Sequence, residues 1–174
     1  AAIPPGFSLK RMSRSDLFAL AAALQALKQA GLDPIPDDLR EDMGVVIGGG
    51  AGGLLEAEAF FPDYLRRGGQ RARFSCLAPV SCASTANHLA TKFGLWGPKT
   101  TLMTACSSGA TAIGLERDLI RAGAARAMVA GGTEPLCRLT FASFNALQAV
   151  DPDYCRPFSG NRAGLTLGGA AGVL

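Results

Sequence analysis

Three times along this 174-residue chain a short apolar run stops at a cluster of small residues, and in two cases a helix-capable stretch follows at once. Val45-Val46-Ile47 runs into Gly48-Gly-Gly-Ala-Gly-Gly53 and then into an apolar stretch from Leu54. Residues 100–105 run into Cys106-Ser107-Ser108 and a small-residue stretch reaching about residue 122. Residues 126–130 end at Gly131-Gly132. Short runs that are apolar at every position suit strands buried on both faces, as in a parallel sheet covered by helices. Strands alternating with helices predict an α/β layered fold with a mainly parallel central sheet and right-handed crossovers. The chain shows neither a tandem repeat nor a linker, and its length suffices for one core, so residues 1–174 are expected to form a single domain.

The remaining elements follow from periodicity and punctuation. Residues 1–12, with Pro4-Pro5-Gly6, form an irregular lead-in. Ser13-Arg-Ser-Asp16 is a capping-box pattern, and Leu17, Leu20, Ala21, Leu24 and Leu27 recur at helical spacing up to Gly31. A helix is therefore predicted over 14–30, followed by a turn over 33–38. Residues 54–66 are predicted helical, with a kink or break at Pro62. Residues 67–82 are expected to be loop, 84–93 a helix closed by Gly94, 141–150 helical, and 165–174 a strand.

Charged residues make up only 18% of the chain, below an average soluble domain, while hydrophobic residues make up 48%. A large share of the surface is thus expected to be buried, in the chain's own core or against a partner. The net charge of +3 comes from small dispersed groups, Lys10-Arg11, Arg66-Arg67, and Arg71 with Arg73. That is not the clustered basic face of a nucleic-acid binder. Such groups read as solvated faces or, more sharply, as docking surface for an acidic partner. The five cysteines fit no disulfide framework, and with one histidine and no CxxC a zinc site is not expected. Reduced cysteines imply a cytoplasmic protein, and no apolar run reaches membrane-spanning length.

Cys106 is the leading candidate for chemistry. Its position on a predicted strand-to-helix turn puts the thiol at the positive end of a helix dipole, which favours the nucleophilic thiolate. Sharp turns of this kind present the attacking atom in unrelated hydrolases. The alternative is a buried cysteine serving as a small hydrophobe. Gly48, Gly50 and Gly53 match G-x-G-x-x-G, but a run made almost wholly of glycine matches trivially, and the acidic residue expected some 20 positions on is missing. Close packing of the turn against a neighbouring backbone is the competing reading. His88 falls mid-helix and reads as a structural side chain rather than as a base for Cys106. Glu134, expected in a turn after a strand, reads as a turn-stabilising carboxylate rather than a catalytic acid.

Several segments occur together in order. They are Val45-Val-Ile-Gly-Gly-Gly-Ala-Gly-Gly-Leu54, Phe93-Gly-Leu-Trp-Gly-Pro98, Thr104-Ala-Cys-Ser-Ser-Gly-Ala-Thr-Ala-Ile-Gly114 and Ala130-Gly-Gly-Thr-Glu-Pro135. Arg156-Pro-Phe-Ser-Gly-Asn-Arg-Ala-Gly164 and Leu167-Gly-Gly-Ala-Ala-Gly172 follow. Together they resemble the N-terminal part of an elongating β-ketoacyl-(acyl-carrier-protein) synthase, a member of the thiolase superfamily. The resemblance implies a layered αβαβα fold built from two similar halves, of which this chain would be the first. It implies an enzyme that transfers an acyl group from carrier-protein phosphopantetheine to a cysteine, then condenses it with malonyl-carrier protein with loss of carbon dioxide. No other cofactor is implied. By this resemblance Cys106 is the acyl acceptor, its own N–H one oxyanion donor, and Phe144 an aromatic bordering the acyl pocket. Lys10 and Arg11 become candidate contacts for the acidic acyl carrier protein. A homodimer or heterodimer is implied, with two histidines, a lysine and a second oxyanion loop supplied by a C-terminal half.

The chain departs from the family pattern at three acidic positions, which here are Ser159, Ala163 and Gly169. Those losses leave open a divergent, non-condensing relative that keeps only cysteine acyl transfer or acts as a chain-length-type subunit. A nucleotide-binding α/β module using the glycine run is the reading from another class.

Overall fold

The structure, a computed structural model, describes Leu9 and residues 11–174. The lead-in through Ser8 and the candidate Lys10 lie outside the described residues.

Ser13 starts the first helix as its sequence pattern predicts. Its hydroxyl accepts the Asp16 N–H at 3.0 Å, and the Asp16 carboxylate accepts the Ser13 N–H at 2.7 Å. This reciprocal cap opens α1 (Arg14–Gln29). Asp16 is buried, and it also accepts the Thr85 hydroxyl at 2.6 Å and the Ser84 hydroxyl at 3.1 Å. One carboxylate thus caps α1 and fastens it to the start of α4 (Ser84–Phe93).

Among the described residues, β1 (Met43–Gly48), β2 (Lys99–Leu102), β3 (Ala127–Glu134) and β4 (Ala170–Val173) form one sheet in the order β2-β1-β3-β4. The first three are parallel, and β4 returns antiparallel to β3. The mainly parallel α/β architecture is as expected. Val45 and Ile47 pack on one face with Leu20 and Leu27 of α1 and Leu89 and Phe93 of α4. Val46 packs on the other face with Ala112 of α5 (Ser108–Arg121) and Met128. Burial on both faces explains why β1 is apolar throughout.

The two faces are unequally covered. Helix α5 packs on β1, β2 and β3 but buries only Ser108 and Ala112, leaving Ile113 and Ile120 exposed. The outer face of this central helix is open, with Ile113 and Ile120 exposed beside Arg117, Asp118 and Arg121.

Several boundaries differ from expectation. Helix α3 (Leu54–Arg67) runs through Pro62 without a break. Phe60 and Asp63 are buried on either side of the proline, and Arg67 pairs with Asp63, so packing offsets the lost backbone bond. The 33–38 turn gives way to a short α2 (Asp37–Arg40), and the 67–82 loop contains a 3-10 turn, Phe74–Val80, packed on α3. Helix α6 (Arg138–Ala146) starts and stops earlier than 141–150. The last strand is confined to Ala170–Val173, and Leu165 instead makes an isolated bridge with Val150.

Candidate active site

The strand leading to Cys106 ends at Leu102, three residues before the predicted end. Cys106 then sits in a 3-10 turn, Ala105–Ser107, immediately before α5. The turn is strained at the preceding residue. Ala105 has φ 52°, a left-handed conformation that costs a residue with a Cβ about 1–2 kcal/mol. Hydroxyl groups hold the strain in place. The Ser108 hydroxyl donates to the Ala105 carbonyl at 2.7 Å and accepts the Thr104 N–H at 2.9 Å. The Ser107 hydroxyl donates to the Thr104 carbonyl at 2.8 Å. The thiol is thereby exposed at the head of a 14-residue helix.

Close backbone packing fixes the base of the turn. A Cβ added at Gly48 would lie 2.3 Å from the main chain of Ser108, so only glycine lets β1 end against the start of α5. One at Gly53 would lie 2.1 Å from the Pro79 carbonyl oxygen. These contacts match the packing interpretation of the glycine run.

Glu134 completes the arrangement, but not from a turn. Strand β3 continues through Gly131 and Gly132, and Glu134 is its last residue. Its carboxylate accepts the N–H groups of Gly50 and Ala51, each at 2.7 Å. Two donors that a nucleotide phosphate would use are therefore taken by an internal carboxylate. The expected stabilising role is observed, exerted on the β1–α3 loop.

Cys106 and Phe144 line one cavity of about 590 Å³. Its wall also includes the 48–51 loop, Leu54 of α3, Thr140 of α6 and residues 170–172. Most of this surface is apolar, and the volume falls in the range typical of small-molecule sites. Cys106 and Glu134 are its only ionisable lining residues among those described. His88 is not in this wall; its Nε2 lies 3.8 Å from the Asp16 carboxylate. Arg11 is exposed and also absent from the wall.

The three departures cluster in the segment leading to β4. Buried Asp151 anchors that segment, accepting the Asp153 N–H at 3.0 Å and an Arg156 N–H at 3.2 Å. The Asp153 N–H holds the Asp151 carboxyl below the usual range; burial opposes this, while Arg156 and the Ala163 N–H add to it. Ser159 bonds the Asn161 side chain at 2.5 Å. A Cβ at Gly169 would come within 3.0 Å of the Leu136 nitrogen, so the acidic side chain of the family pattern would need its neighbours to shift.

Two further groups carry little signal in the sequence. Ser108 was legible only as part of a small-residue motif. Glu58, a lone acid in α3, gave no local signal, yet its carboxylate accepts the Arg138 N–H at 3.0 Å and the Leu139 N–H at 2.6 Å.

Arg66, Arg67 and Arg73 gather at the far end of α3. Buried Asp63 pairs with Arg67 Nε at 2.7 Å, Arg73 Nε at 3.5 Å and Arg66 Nη2 at 3.9 Å. Burial alone would raise its pKa; the Arg73 N–H and the three guanidinium groups outweigh that and lower it. Phe61, Tyr64, Leu65 and Phe74 are exposed nearby.

Among the described residues no helix is long and apolar enough to cross a membrane. The chain is 37% identical over 167 residues to 3-oxoacyl-[acyl-carrier-protein] synthase 2 of Rhizobium meliloti (strain 1021), covering 91% of this chain and 39% of that protein. It spans about two fifths of the length of the curated relatives it matches. The ishigamide ketosynthase/chain length factor superposes with a TM-score of 0.88 at 29% identity, covering 96% of this chain and 42% of the other. AntDE:AntF, a type II PKS acyl-carrier protein in complex with its ketosynthase bound to the hexaketide, gives 0.83 at 29% identity, covering 95% and 43%. These likenesses make the fold thiolase-like, as the sequence motifs implied. Residues 5–174 match the family described as Beta-ketoacyl synthase, N-terminal domain, and the chain belongs to that family.

Proposed function

We propose that this chain supplies the acyl-accepting half of a β-ketoacyl-acyl-carrier-protein synthase acting in fatty-acid or polyketide-type synthesis. The observation that carries this reading is Cys106, exposed on a strained turn at the head of α5 and opening into an apolar cavity bordered by Phe144. The Cys106 thiolate attacks the carbonyl carbon of a carrier-bound thioester. A carbon–sulfur bond to Cys106 forms, the bond to the phosphopantetheine sulfur breaks, and that sulfur leaves as a thiol once it gains a proton. The Cys106 N–H supports the transient oxyanion. In the second step a malonyl thioester loses carbon dioxide, and the resulting carbanion attacks the acyl carbonyl and expels the Cys106 thiolate. The bases for this step are assigned to the C-terminal half. Glu134 is a poor candidate because its carboxylate is engaged with the glycine loop.

The arginines around Asp63 supply a basic surface for the acidic carrier protein, better clustered than Arg11. Helix α3 joins this surface to the cavity, with Leu54 at one end and Arg66 about 18 Å along the helix. Arg66→Glu combined with Arg67→Glu should slow acylation from the carrier protein and leave acylation from a small thioester unchanged. Pairing with a second ketosynthase-like chain would cover Ile113 and Ile120 on the open face of α5. Phosphopantetheine is then the substrate's carrier and not a resident cofactor, and the free cysteines suit a cytoplasmic setting.

Mass spectrometry of the complete protein after incubation with an acyl thioester tests the assignment. The acyl group should appear on Cys106 and on no other cysteine, and normal acylation of Cys106→Ala would overturn it. The second reading, an acyl-accepting relative that does not condense, is favoured by Ser159, Ala163 and Gly169 at the acidic positions. Malonyl decarboxylation by the complete protein separates the two.

A further inference from the structure

Helix α6 carries Thr140 and Phe144, four residues apart and both on the cavity wall. No residue of α6 is buried, so apolar packing contributes little to its position. Its start is held by buried Pro135 and Cys137 just before it and by a polar contact from α3. The Glu58 carboxylate reaches across from α3 and accepts the first two N–H groups of the helix, Arg138 at 3.0 Å and Leu139 at 2.6 Å. These are orphan donors, and an anion there is favoured by both hydrogen bonding and the helix dipole. Cys137, the residue preceding the helix, is buried and bonds only the Thr140 hydroxyl through its sulfur at 2.9 Å, a contact internal to the same turn. Leu54, one turn before Glu58 on α3, lies on the same cavity wall. The Glu58 carboxylate therefore bridges two walls of the cavity, one on each helix.

We propose that Glu58 is a positioning residue that governs which acyl groups the cavity accepts, by fixing α6 and so the distance of Phe144 from Leu54. The proposal rests on the cavity being the acyl site. Loss of the carboxylate frees α6 to move outward, and the penalty on bulkier acyl chains falls. Size discrimination in an apolar pocket is worth about tenfold or more per methylene when the walls are fixed, so a loosened wall should collapse much of it.

The test uses the complete protein and intact-mass measurement of Cys106 acylation by a short and a long straight-chain acyl thioester. In Glu58→Ala the long-to-short rate ratio should change by about tenfold. Glu58→Gln, which keeps one acceptor, should give a smaller change in the same direction. Arg138→Pro provides a second route. It deletes one donor while leaving Glu58 in place, at a helix position that tolerates proline, after a residue that is already extended (Cys137, φ −127°, ψ 159°). It should reproduce the Glu58→Gln shift even if Glu58→Ala fails to fold. A purely structural role would lower both rates together and leave the ratio unchanged, and that result in Glu58→Gln and Arg138→Pro overturns the proposal. Acylation of Cys106→Ala at the normal rate would instead overturn the acyl-site reading beneath it.

Discussion

The Glu134 carboxylate accepts the Gly50 N–H at 2.7 Å, joining the end of β3 to the loop after β1 across 84 residues of sequence. A second bond to Ala51 makes the clasp bidentate. Glu134→Ala should destabilise the complete protein by about 1–2 kcal/mol, since the loop is partly open to water. Because the loop lines the Cys106 cavity, the rate of Cys106 alkylation by iodoacetamide should change with it. Glu134→Gln keeps an acceptor and should lose less. Denaturant titration and alkylation kinetics check both, and an unchanged midpoint in Glu134→Ala contradicts the clasp.

Gly48→Ala should be among the most damaging small substitutions in the chain. Its methyl group would meet the Ser108 main chain at 2.3 Å, and no rotamer change relieves a clash with backbone. A loss of about 3 kcal/mol or more is expected, at the upper end for overpacking. Gly160→Ala, with nothing within 4 Å, is the matched control and should stay within about 0.5 kcal/mol. Thermal melts of the two variants make the comparison.

Asp63 should contribute to acid sensitivity. Its folded pKa lies below the ordinary value of 3.8, so the folded state holds the charged form more tightly than the unfolded state does. That contribution is fully present above the unfolded value and fades as pH falls through the lower folded value. Wild type should therefore lose stability more steeply than Asp63→Asn as pH drops from about 5 to 3. Equal slopes would show that the three arginines do not act through Asp63.

Residues 1–174 produced alone should not behave as a well-folded monomer. Ile113 and Ile120 on α5 are uncovered, and the core on that side of the sheet is small. Self-association in sedimentation or strong binding of a hydrophobic dye is expected. A cooperative melt from a monomer without dye binding would refute this.

Local chemistry made some features legible in the sequence. The Ser13–Asp16 cap and the leucine spacing located α1 almost to the residue, and the apolar run at 45–47 marked the central strand. Features that depend on distant partners were not legible. Nothing near Pro62 announces that Asp63 will be buried and paired with three arginines. Gly131-Gly132 looked like the end of a strand because glycine is a poor strand former, yet pairing with β1 and β4 carries the strand on to Glu134. The same holds at the site. Cys106 stands out because a thiol at a strand-to-helix turn is unusual in itself. Phe144 is marked only by the family resemblance, and Glu58 has meaning only once α6 lies across it.

The left-handed alanine before Cys106 has a consequence for how such a turn could drift. Ala105→Gly would relieve about 1–2 kcal/mol of backbone strain and give back about 0.4–1 kcal/mol through the greater freedom of the unfolded chain. The strain relief is the larger of the two, leaving a net gain of up to about 1.6 kcal/mol. A screen for thermostability would therefore score the substitution as neutral to stabilising. The missing methyl would still widen the range of directions in which the thiol can point. Position 105 is thus one where folding favours glycine while the aim of the thiol favours alanine, and comparing a stability screen with an activity screen would separate the two.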